Sequence, residues 1–145
     1  MDRIAVLVIN GPNLNMLGTR EPDLYGTMTL DKICERMKDH ADKKNMAVEF
    51  FQSNIEGELI NQIQGSEERF DGIIINAGAY SHTSVALRDT ISSINIPVVE
   101  IHISNVFGRE SFRHYSYIAP VCAGSIVGFG YLSYVLALEY FALSR

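Results

Sequence analysis

The sequence predicts an α/β fold in which helices cover both faces of a parallel sheet. Short runs of apolar, β-branched residues alternate with segments whose apolar residues recur at helical spacing. Because a helix follows each strand, the strands must be joined by crossover connections and run parallel. The chain has 145 residues, of which 47% are hydrophobic and 20% charged. That is enough for a core of its own, and we expect residues 1–145 to form a single domain.

The strands are read from the uninterrupted apolar runs. The first run, residues 4–9, is continuous and rich in β-branched residues, which is typical of a strand buried on both faces. The four later strands are predicted at residues 47–51, 73–75, 97–103 and 121–127.

The helices are read from spacing and end signals. Thr29 is the expected N-cap of the first helix, Gly65 ends the second, and Pro97 follows the third. The last helix, residues 131–143, is apolar on more than one face. It can be deeply buried within the chain or partly covered by another subunit, and the pattern leaves both open. Five strands with helices on both faces favour a doubly wound, flavodoxin-like sheet.

Composition excludes several classes of protein. With 12 basic and 17 acidic residues the net charge is −5, which argues against a nucleic-acid partner. The two cysteines, Cys34 and Cys122, provide no disulfide framework, so we expect a reduced, cytoplasmic setting. Residues 115–138 carry no formal charge, but Pro120 and three glycines divide them, which favours a strand, a turn and a helix over a membrane span.

Polar side chains follow three of the predicted strands. In an open parallel sheet, ligands bind beyond the carboxyl ends of the strands. Polar residues at or after those ends are Asn13 after the first strand, Asn76 and His82 after the third, and Glu100, His102, Ser104, Arg109 and Arg113 on or after the fourth. This convergence predicts a ligand site at that edge of the sheet.

Glu100 and His102 are separated by one residue, so on a strand both side chains face the same side. A carboxylate beside an imidazole fixes the tautomer of the ring and favours its protonated form, which suits a general acid. A Glu-x-His pair by itself is more often a structural ion pair. The other polar residues at the same edge favour chemistry here.

The connection between the first strand and the first helix, residues 11–28, is longer than the roughly 2–6 residues usual in such folds. Long loops at this edge are often lids, and Arg20 and Tyr25 could close over a substrate. An ordered surface loop fits the pattern equally well.

His82 lies near the N-terminus of the third predicted helix, where an anion is favoured. His40 is expected on the solvated face of the first helix.

Several motifs that would define other chemistries are missing. The first strand is not followed by the glycine patterns that bind dinucleotides or phosphates, and the chain has no Gly-x-Ser-x-Gly elbow. His82 and His102 lack the spacing of a metal site. The four lysines, Lys32, Lys38, Lys43 and Lys44, lie in or just after the first helix, which disfavours a Schiff base.

Three long motifs resemble those of the type II 3-dehydroquinate dehydratases. They are NGPNLNMLGTREP at residues 10–22 with Tyr25-Gly26 after it, NAGAYSHTS at residues 76–84, and EIHISN at residues 100–105 with RExFR at residues 109–113. The resemblance runs over nearly the whole chain, in the family's order and length. It implies a flavodoxin-like fold and dehydration of 3-dehydroquinate to 3-dehydroshikimate, with no metal and no cofactor.

The resemblance also implies roles for the reacting groups. Tyr25 would be the base that removes the C2 proton, and Arg20 would hold the phenol ionised. Asn13 would position a water on the enolate oxygen. His102, oriented by Glu100, would protonate the departing hydroxyl.

Further positions would bind the substrate. Asn76, Ser104 and the backbone at Ile103 would hold its carboxylate, and His82 and Arg113 would bind ring hydroxyls.

The remaining implications concern the lid and the assembly. Arg109 would serve the lid region, and Asp89 would reach toward the site of a neighbouring subunit. The resemblance implies a dodecamer of four trimers. It also implies a role in the shikimate or quinate pathway, and we expect biosynthesis of chorismate and aromatic amino acids rather than quinate breakdown.

The sequence departs from the family pattern at two places. Phe107-Gly108 stands where the family commonly has His-Ala, and Ser81 where it commonly has Thr.

Two other classes of protein use this fold. A flavin- or phosphate-binding carrier would need hydroxyl donors after the first strand, where this chain has Asn-Gly-Pro-Asn. A receiver-like signalling domain would need an acidic pair there, where this chain has Asn10 and Asn13.

Overall fold

A computed structural model describes residues 3–19 and 21–144, and of Leu24 and Tyr25 it describes the backbone only. Within these residues the strands are β1 (Ile4–Asn10), β2 (Met46–Gln52), β3 (Gly72–Asn76), β4 (Val98–His102) and β5 (Gly124–Val127). The helices are α1 (Pro22–Tyr25), α2 (Leu30–Lys43), α3 (Glu56–Gln64), α4 (Val85–Ser93) and α5 (Leu132–Leu143). The predicted order is confirmed for the five strands and for α2 to α5, whereas the short helix α1 lies in the segment predicted as a loop. The ends of these elements differ from the predicted ones by a few residues.

All neighbouring strands pair in parallel, in the order β2-β1-β3-β4-β5. This is the strand order of a flavodoxin-like sheet, so the predicted fold class is confirmed. In this order the topological switch point of the sheet lies between β1 and β3. Ligands in such sheets bind at that point, beyond the carboxyl ends of the strands.

Helix starts follow the local capping signals. Thr29 caps α2, because its hydroxyl oxygen accepts a hydrogen bond from the backbone N–H of Lys32 at 3.2 Å. Ser84 caps α4 in the same way, accepting from the N–H of Leu87 at 2.9 Å. Each cap satisfies a backbone donor that the first helical turn leaves without a partner.

The sheet is buried on both faces because its central strands place side chains alternately on each. Val6 and Val8 of β1 pack with α2 and α5, whereas Leu7 and Ile9 pack with α3 and α4. Gly72 is required where β3 meets α5, since a Cβ there would lie 2.2 Å from the ring of Phe141. Helices therefore cover both faces of the sheet, and the site lies at the carboxyl ends of its strands.

The last helix is buried within its own chain on one side only, and cover of its other side by another subunit stays a prediction. One face of α5 is buried in the core through Tyr134, Leu138 and Phe141. The other face exposes a stripe of large apolar side chains, which are Leu132, Leu136, Tyr140 and Leu143.

The expectation that His40 lies on a solvated face is wrong. Its side chain is only 27% exposed, and its Nε2 lies 2.6 Å from Oε1 of Glu139, joining α2 to α5. The pairing bridges 99 positions of sequence, so the helical pattern around His40 carries no sign of it.

The uncharged stretch at residues 115–138 is divided, as expected. It contains β5, then Gly128 and Gly130 at φ 96° and 62°, and then the start of α5. In the described part of the chain, no helix has the length and apolar character needed to cross a membrane.

Candidate active site

A cleft opens beyond the carboxyl ends of β1, β3 and β4. The strand ends are level there, because Asn10 pairs in register with Asn76 across β1 and β3. Most of the residues that the sequence singled out line this cleft together, namely Asn13, Asn76, His82, His102, Ile103, Ser104, Arg109 and Arg113. The predicted convergence of polar groups at one edge of the sheet is therefore confirmed.

The loops after β1 and β3 are in direct backbone contact. The N–H of Gly11 donates to the carbonyl of Asn76 at 2.8 Å. A Cβ at position 11 would lie 2.5 Å from the carbonyl oxygen of Ala77, so only glycine fits there. Two residues further on, Asn13 adopts a left-handed backbone at φ 68°, and its N–H donates to Oδ1 of Asn54 at 3.0 Å. These contacts fix Asn13 at the rim of the cleft.

Glu100 and His102 form a buried pair on β4. The Nε2–H of His102 donates to Oε2 of Glu100 at 3.0 Å, and the two side chains are only 8% and 2% exposed. Because Nε2 carries this hydrogen, Nδ1 is the nitrogen left to exchange a proton in the cleft. The expectation that both side chains face the same side of the strand is confirmed.

The carboxylate of Glu100 accepts three hydrogen bonds. Besides His102, the hydroxyl of Ser116 donates to Oε2 at 2.6 Å and that of Ser125 to Oε1 at 2.7 Å. Burial by itself would raise the pKa of Glu100. The hydrogen bond and charge of His102, with the two hydroxyl donors, outweigh it and hold that pKa below its usual value. Glu100 is therefore a carboxylate near neutral pH.

His82 stacks beside His102, with ring centroids 6.1 Å apart and ring planes inclined by 18°. Its Nδ1–H donates to the carbonyl of Tyr115 at 2.8 Å. Burial lowers the pKa of His82. The Tyr115 carbonyl opposes that effect, and the charges of His102 and Arg113 add to it. A neutral ring with Nδ1 engaged leaves Nε2 as an acceptor, which suits a hydroxyl group.

Asn76 is oriented by a hydrogen-bonded chain from the core. Its Nδ2 donates to the hydroxyl of Tyr134 at 3.0 Å, and that hydroxyl donates its single hydrogen to Oδ1 of Asn10 at 2.6 Å. Oδ1 of Asn76 accepts from the N–H of Gly78 at 3.2 Å. The second Nδ2 hydrogen of Asn76 is therefore available to an acceptor in the cleft.

Two arginines make the cleft attractive to anions. Nη1 of Arg109 donates to the hydroxyl of Ser104 at 3.2 Å, and its Nη2 lies 3.9 Å from Oε2 of Glu21. Nε of Arg113 donates to Glu110 at 2.7 Å, and this holds the pKa of that exposed carboxyl below its usual value. Since Glu21 lies in the long loop after β1, Arg109 joins that loop to the cleft.

The roles expected for three of the site residues, Arg20, Tyr25 and Asp89, stay predictions. Arg20 lies outside the described residues, and the side chain of Tyr25 is outside them as well. Asp89 is exposed on α4 and is not among the residues lining the cleft of its own chain. Phe107, at the position that departs from the family pattern, is 61% exposed.

Sequence reasoning missed several residues that orient the predicted site residues. They are Ser116 and Ser125 on Glu100, Tyr134 on Asn76, Asn54 on Asn13, and His114, whose Nε2 donates to the carbonyl of Arg109 at 2.9 Å. One signal was present. Ser125 is polar in an otherwise apolar strand and pairs in register with Glu100 across β4 and β5.

The cleft thus combines an acid–base pair with donors for an anionic, hydroxylated small molecule. The four lysines lie on α2 or at its C-cap, and none of them lines the cleft. Within residues 3–19 and 21–144, no group of three His, Cys, Asp or Glu side chains is placed to hold a metal ion. Together with the fold, this defines a flavodoxin-like protein with a polar site suited to proton transfer.

Comparison with known proteins gives the family. The family model described as dehydroquinase class II matches residues 4–142. The 3-dehydroquinate dehydratase of Campylobacter lari is 58% identical over 135 residues, which are 93% of this chain and 84% of that protein. The crystal structure of a type II dehydroquinase from Butyrivibrio crossotus superposes with a TM-score of 0.94 at 46% identity, covering 95% of this chain and 97% of that one.

A second solved type II dehydroquinase, from Propionibacterium acnes, superposes with a TM-score of 0.93 at 36% identity over 97% of this chain and 99% of that one. The chain belongs to the dehydroquinase class II family. It is a hydro-lyase of the dehydratase type.

Proposed function

We propose that this protein eliminates water from 3-dehydroquinate to give 3-dehydroshikimate through an enolate, without an imine. The observation that supports it best is the buried Glu100–His102 pair, which leaves Nδ1 of the histidine for the cleft. Elimination from a β-hydroxy ketone needs a base at the carbon beside the ketone and an acid at the departing hydroxyl. The pair supplies the acid, and membership of the family supports the substrate.

The base in this proposal is Tyr25. It takes the C2 proton of the substrate, and the electrons of that C–H bond form the enolate of the C3 ketone. A phenol with an ordinary pKa near 10 has to ionise at roughly pH 7–8 to serve. A guanidinium in contact with it, in a site closed to water, favours the phenolate, and Arg20 is the expected group.

The enolate then expels the C1 hydroxyl. His102 gives its proton to that oxygen, so that water leaves and the ring nitrogen becomes neutral. Asn13 positions a water on the enolate oxygen, where a donor already in place stabilises the developing charge. The left-handed backbone of Asn13 and its hydrogen bond to Asn54 support a fixed position for this group.

Substrate binding follows the donors of the cleft. Asn76, Ser104 and the backbone at Ile103 hold the carboxylate, and His82 and Arg113 bind ring hydroxyls. The free Nδ2 hydrogen of Asn76 and the acceptor Nε2 of His82 support these assignments.

Arg109 serves the lid region in this proposal. Its contact with Glu21 supports a role in that loop.

The assembly and the setting are part of the same proposal. The protein acts as a single catalytic domain in the cytoplasm, in the biosynthesis of chorismate and aromatic amino acids. It forms a dodecamer of four trimers, in which Asp89 reaches a neighbouring site. The exposed apolar stripe of α5 supports burial of further surface between subunits, and Asp89 lies exposed on α4.

The reaction is tested by adding 3-dehydroquinate and following the absorbance of the conjugated enone product. Turnover is expected from the unmodified protein and is lost in Tyr25→Phe, while substrate analogues still bind. Borohydride is expected to leave the enzyme active, because no imine forms. Inactivation by borohydride with label on a lysine would contradict the mechanism, and near-normal turnover by Tyr25→Phe would contradict the assignment of the base.

A further inference from the structure

The carboxylate of Glu100 has more hydrogen-bond donors than a histidine pair needs. The Glu100 side chain is 2% exposed, and both of its carboxylate oxygens accept hydrogen bonds. His102 supplies one donor, and serine hydroxyls from two other segments supply the rest, at 2.6 Å and 2.7 Å. Ser116 lies in the loop between β4 and β5, and Ser125 lies on β5 itself.

The direction of the Ser116 hydrogen bond is fixed. Its Oγ accepts from the backbone N–H of Ala119 at 3.1 Å, so its own hydrogen is left for Glu100. Ser125 approaches the other oxygen from the neighbouring strand, at the position paired with Glu100 in the sheet. The two hydroxyls therefore donate hydrogen bonds to different oxygens of Glu100 and fix the plane of its carboxylate.

We propose that Ser116 and Ser125 are positioning residues of this enzyme, which keep the Glu100 carboxylate ionised and aimed at Nε2 of His102. The proposal deepens the proposed function, because it rests on His102 as the acid. Neither serine lines the cleft, so both act through Glu100 rather than on the substrate.

The physical reason is the mismatch that protonation would create. An ionised carboxylate only accepts hydrogen bonds, and all three partners of Glu100 donate. A proton on Glu100 would face one of those donors and break its bond. Each hydroxyl therefore favours the charged form and opposes the effect of burial, which raises the pKa.

Other charged and titratable groups surround the pair. His82 stacks on His102 from the turn before α4, and Arg109 and Arg113 line the cleft from the loop after β4. On the side of β5, burial and then the charge of Glu100 raise the pKa of Cys122 to about 12, so that thiol stays neutral. None of these groups replaces the two hydroxyl donors.

The test uses Ser116→Ala, Ser125→Ala and the double variant of the full chain. The first readout is the ¹³C shift of the Glu100 carboxyl carbon as a function of pH. The second is the pH dependence of kcat with 3-dehydroquinate. We expect Glu100 to take up its proton about one pH unit higher for each hydroxyl removed. The acidic limb of kcat should move up with it, and KM should change little. Ser125→Thr, which keeps a hydroxyl, should restore both.

Ser66→Ala is the matched control. Ser66 is more buried than Ser116 or Ser125, and its hydroxyl donates to the carbonyl of Ile63 at 2.6 Å, away from the cleft. Loss of the Ser66 hydroxyl should lower the free energy of unfolding. It should leave the titration of Glu100 and the pH dependence of kcat unchanged. If the double variant does not fold, Ser125→Ala on the exposed edge strand provides the same test.

The outcomes separate the two proposals. An unchanged Glu100 titration in the serine variants would overturn the positioning role. A moved titration with an unmoved kcat profile would support that role and contradict His102 as the acid.

Discussion

The part of the chain that the structure describes contains two histidine–carboxylate pairs whose geometry is similar and whose surroundings differ. His40 and Glu139 are 2.6 Å apart, with side chains 27% and 28% exposed, and Lys44 lies 3.4 Å from the same carboxylate oxygen. Glu100 and His102 are 3.0 Å apart, with side chains 2% and 8% exposed. The closer pair is the one for which we expect no chemistry. A short distance does not make a catalytic pair, whereas burial at the edge of a ligand cleft favours one.

The difference is one of environment. Water and Lys44 reach the carboxylate of Glu139, so its charge is screened. Its pairing with His40 therefore contributes little to the free energy of unfolding. Glu100 has exchanged water for three fixed donors, and His102 opens into a cleft lined by arginines and amides. In that setting each charge acts on its neighbours with much less screening.

The largest contrast should come from removing each histidine. His102→Asn is expected to lower kcat by about 10²–10⁴-fold, the usual contribution of a positioned acid. His40→Asn is expected to leave kcat unchanged, because its ring lies between α2 and α5. Steady-state assays of both variants with 3-dehydroquinate measure the difference. Equal effects on kcat would show that burial does not distinguish the two pairs.

The next contrast is in stability. Glu100→Gln should lower the free energy of unfolding by about 1–3 kcal/mol, because the new amide places hydrogens against donors that it cannot pair with. Glu139→Gln should cost less than about 1 kcal/mol, because its half-buried carboxylate is also reached by Lys44 and by water. Urea unfolding of the two variants measures both values. A larger loss from Glu139→Gln would reverse the ranking.

Lowering the pH should remove the contribution of the ionised Glu100 carboxylate to the free energy of unfolding. Its pKa is held lower in the folded chain than in the unfolded one, so its ionised form stabilises the fold above the unfolded value near 4.3. That contribution is lost as the pH falls through the folded value. The difference in unfolding free energy between the unmodified protein and Glu100→Gln should therefore be full at pH 7 and shrink below about pH 4. A difference that grew on acidification would contradict the ionised state of Glu100.

The smallest expected effect is that of salt on the stabilisation provided by the His40–Glu139 pair. His40→Gln should cost about 0.2–1 kcal/mol at low ionic strength, and less in 1 M salt, where charges are screened within about 3 Å. Urea unfolding at the two salt concentrations measures it. A cost that did not change with salt would indicate that His40 acts through packing and not through charge.

The sequence revealed one pair and hid the other for a physical reason. Glu100 and His102 are two positions apart on a strand, so their common side follows from local geometry. His40 meets Glu139 across 99 positions, through the packing of two helices. The α/β fold class and the polar edge follow from the alternation of elements, whereas the strand order is read from the structure. The contacts of Ser125 and Tyr134 depend on sheet register and on the placement of α5, which local patterns do not specify.

The most direct test of His102 as the acid is a crystal structure of the protein with a planar mimic of the enolate bound. We expect Nδ1 of His102 within about 2.6–3.2 Å of the atom that takes the place of the departing hydroxyl. The phenol of Tyr25 should lie over C2, within reach of the proton that it removes. A bound ring with His102 out of reach, or with Tyr25 turned to solvent, would contradict the proposed mechanism.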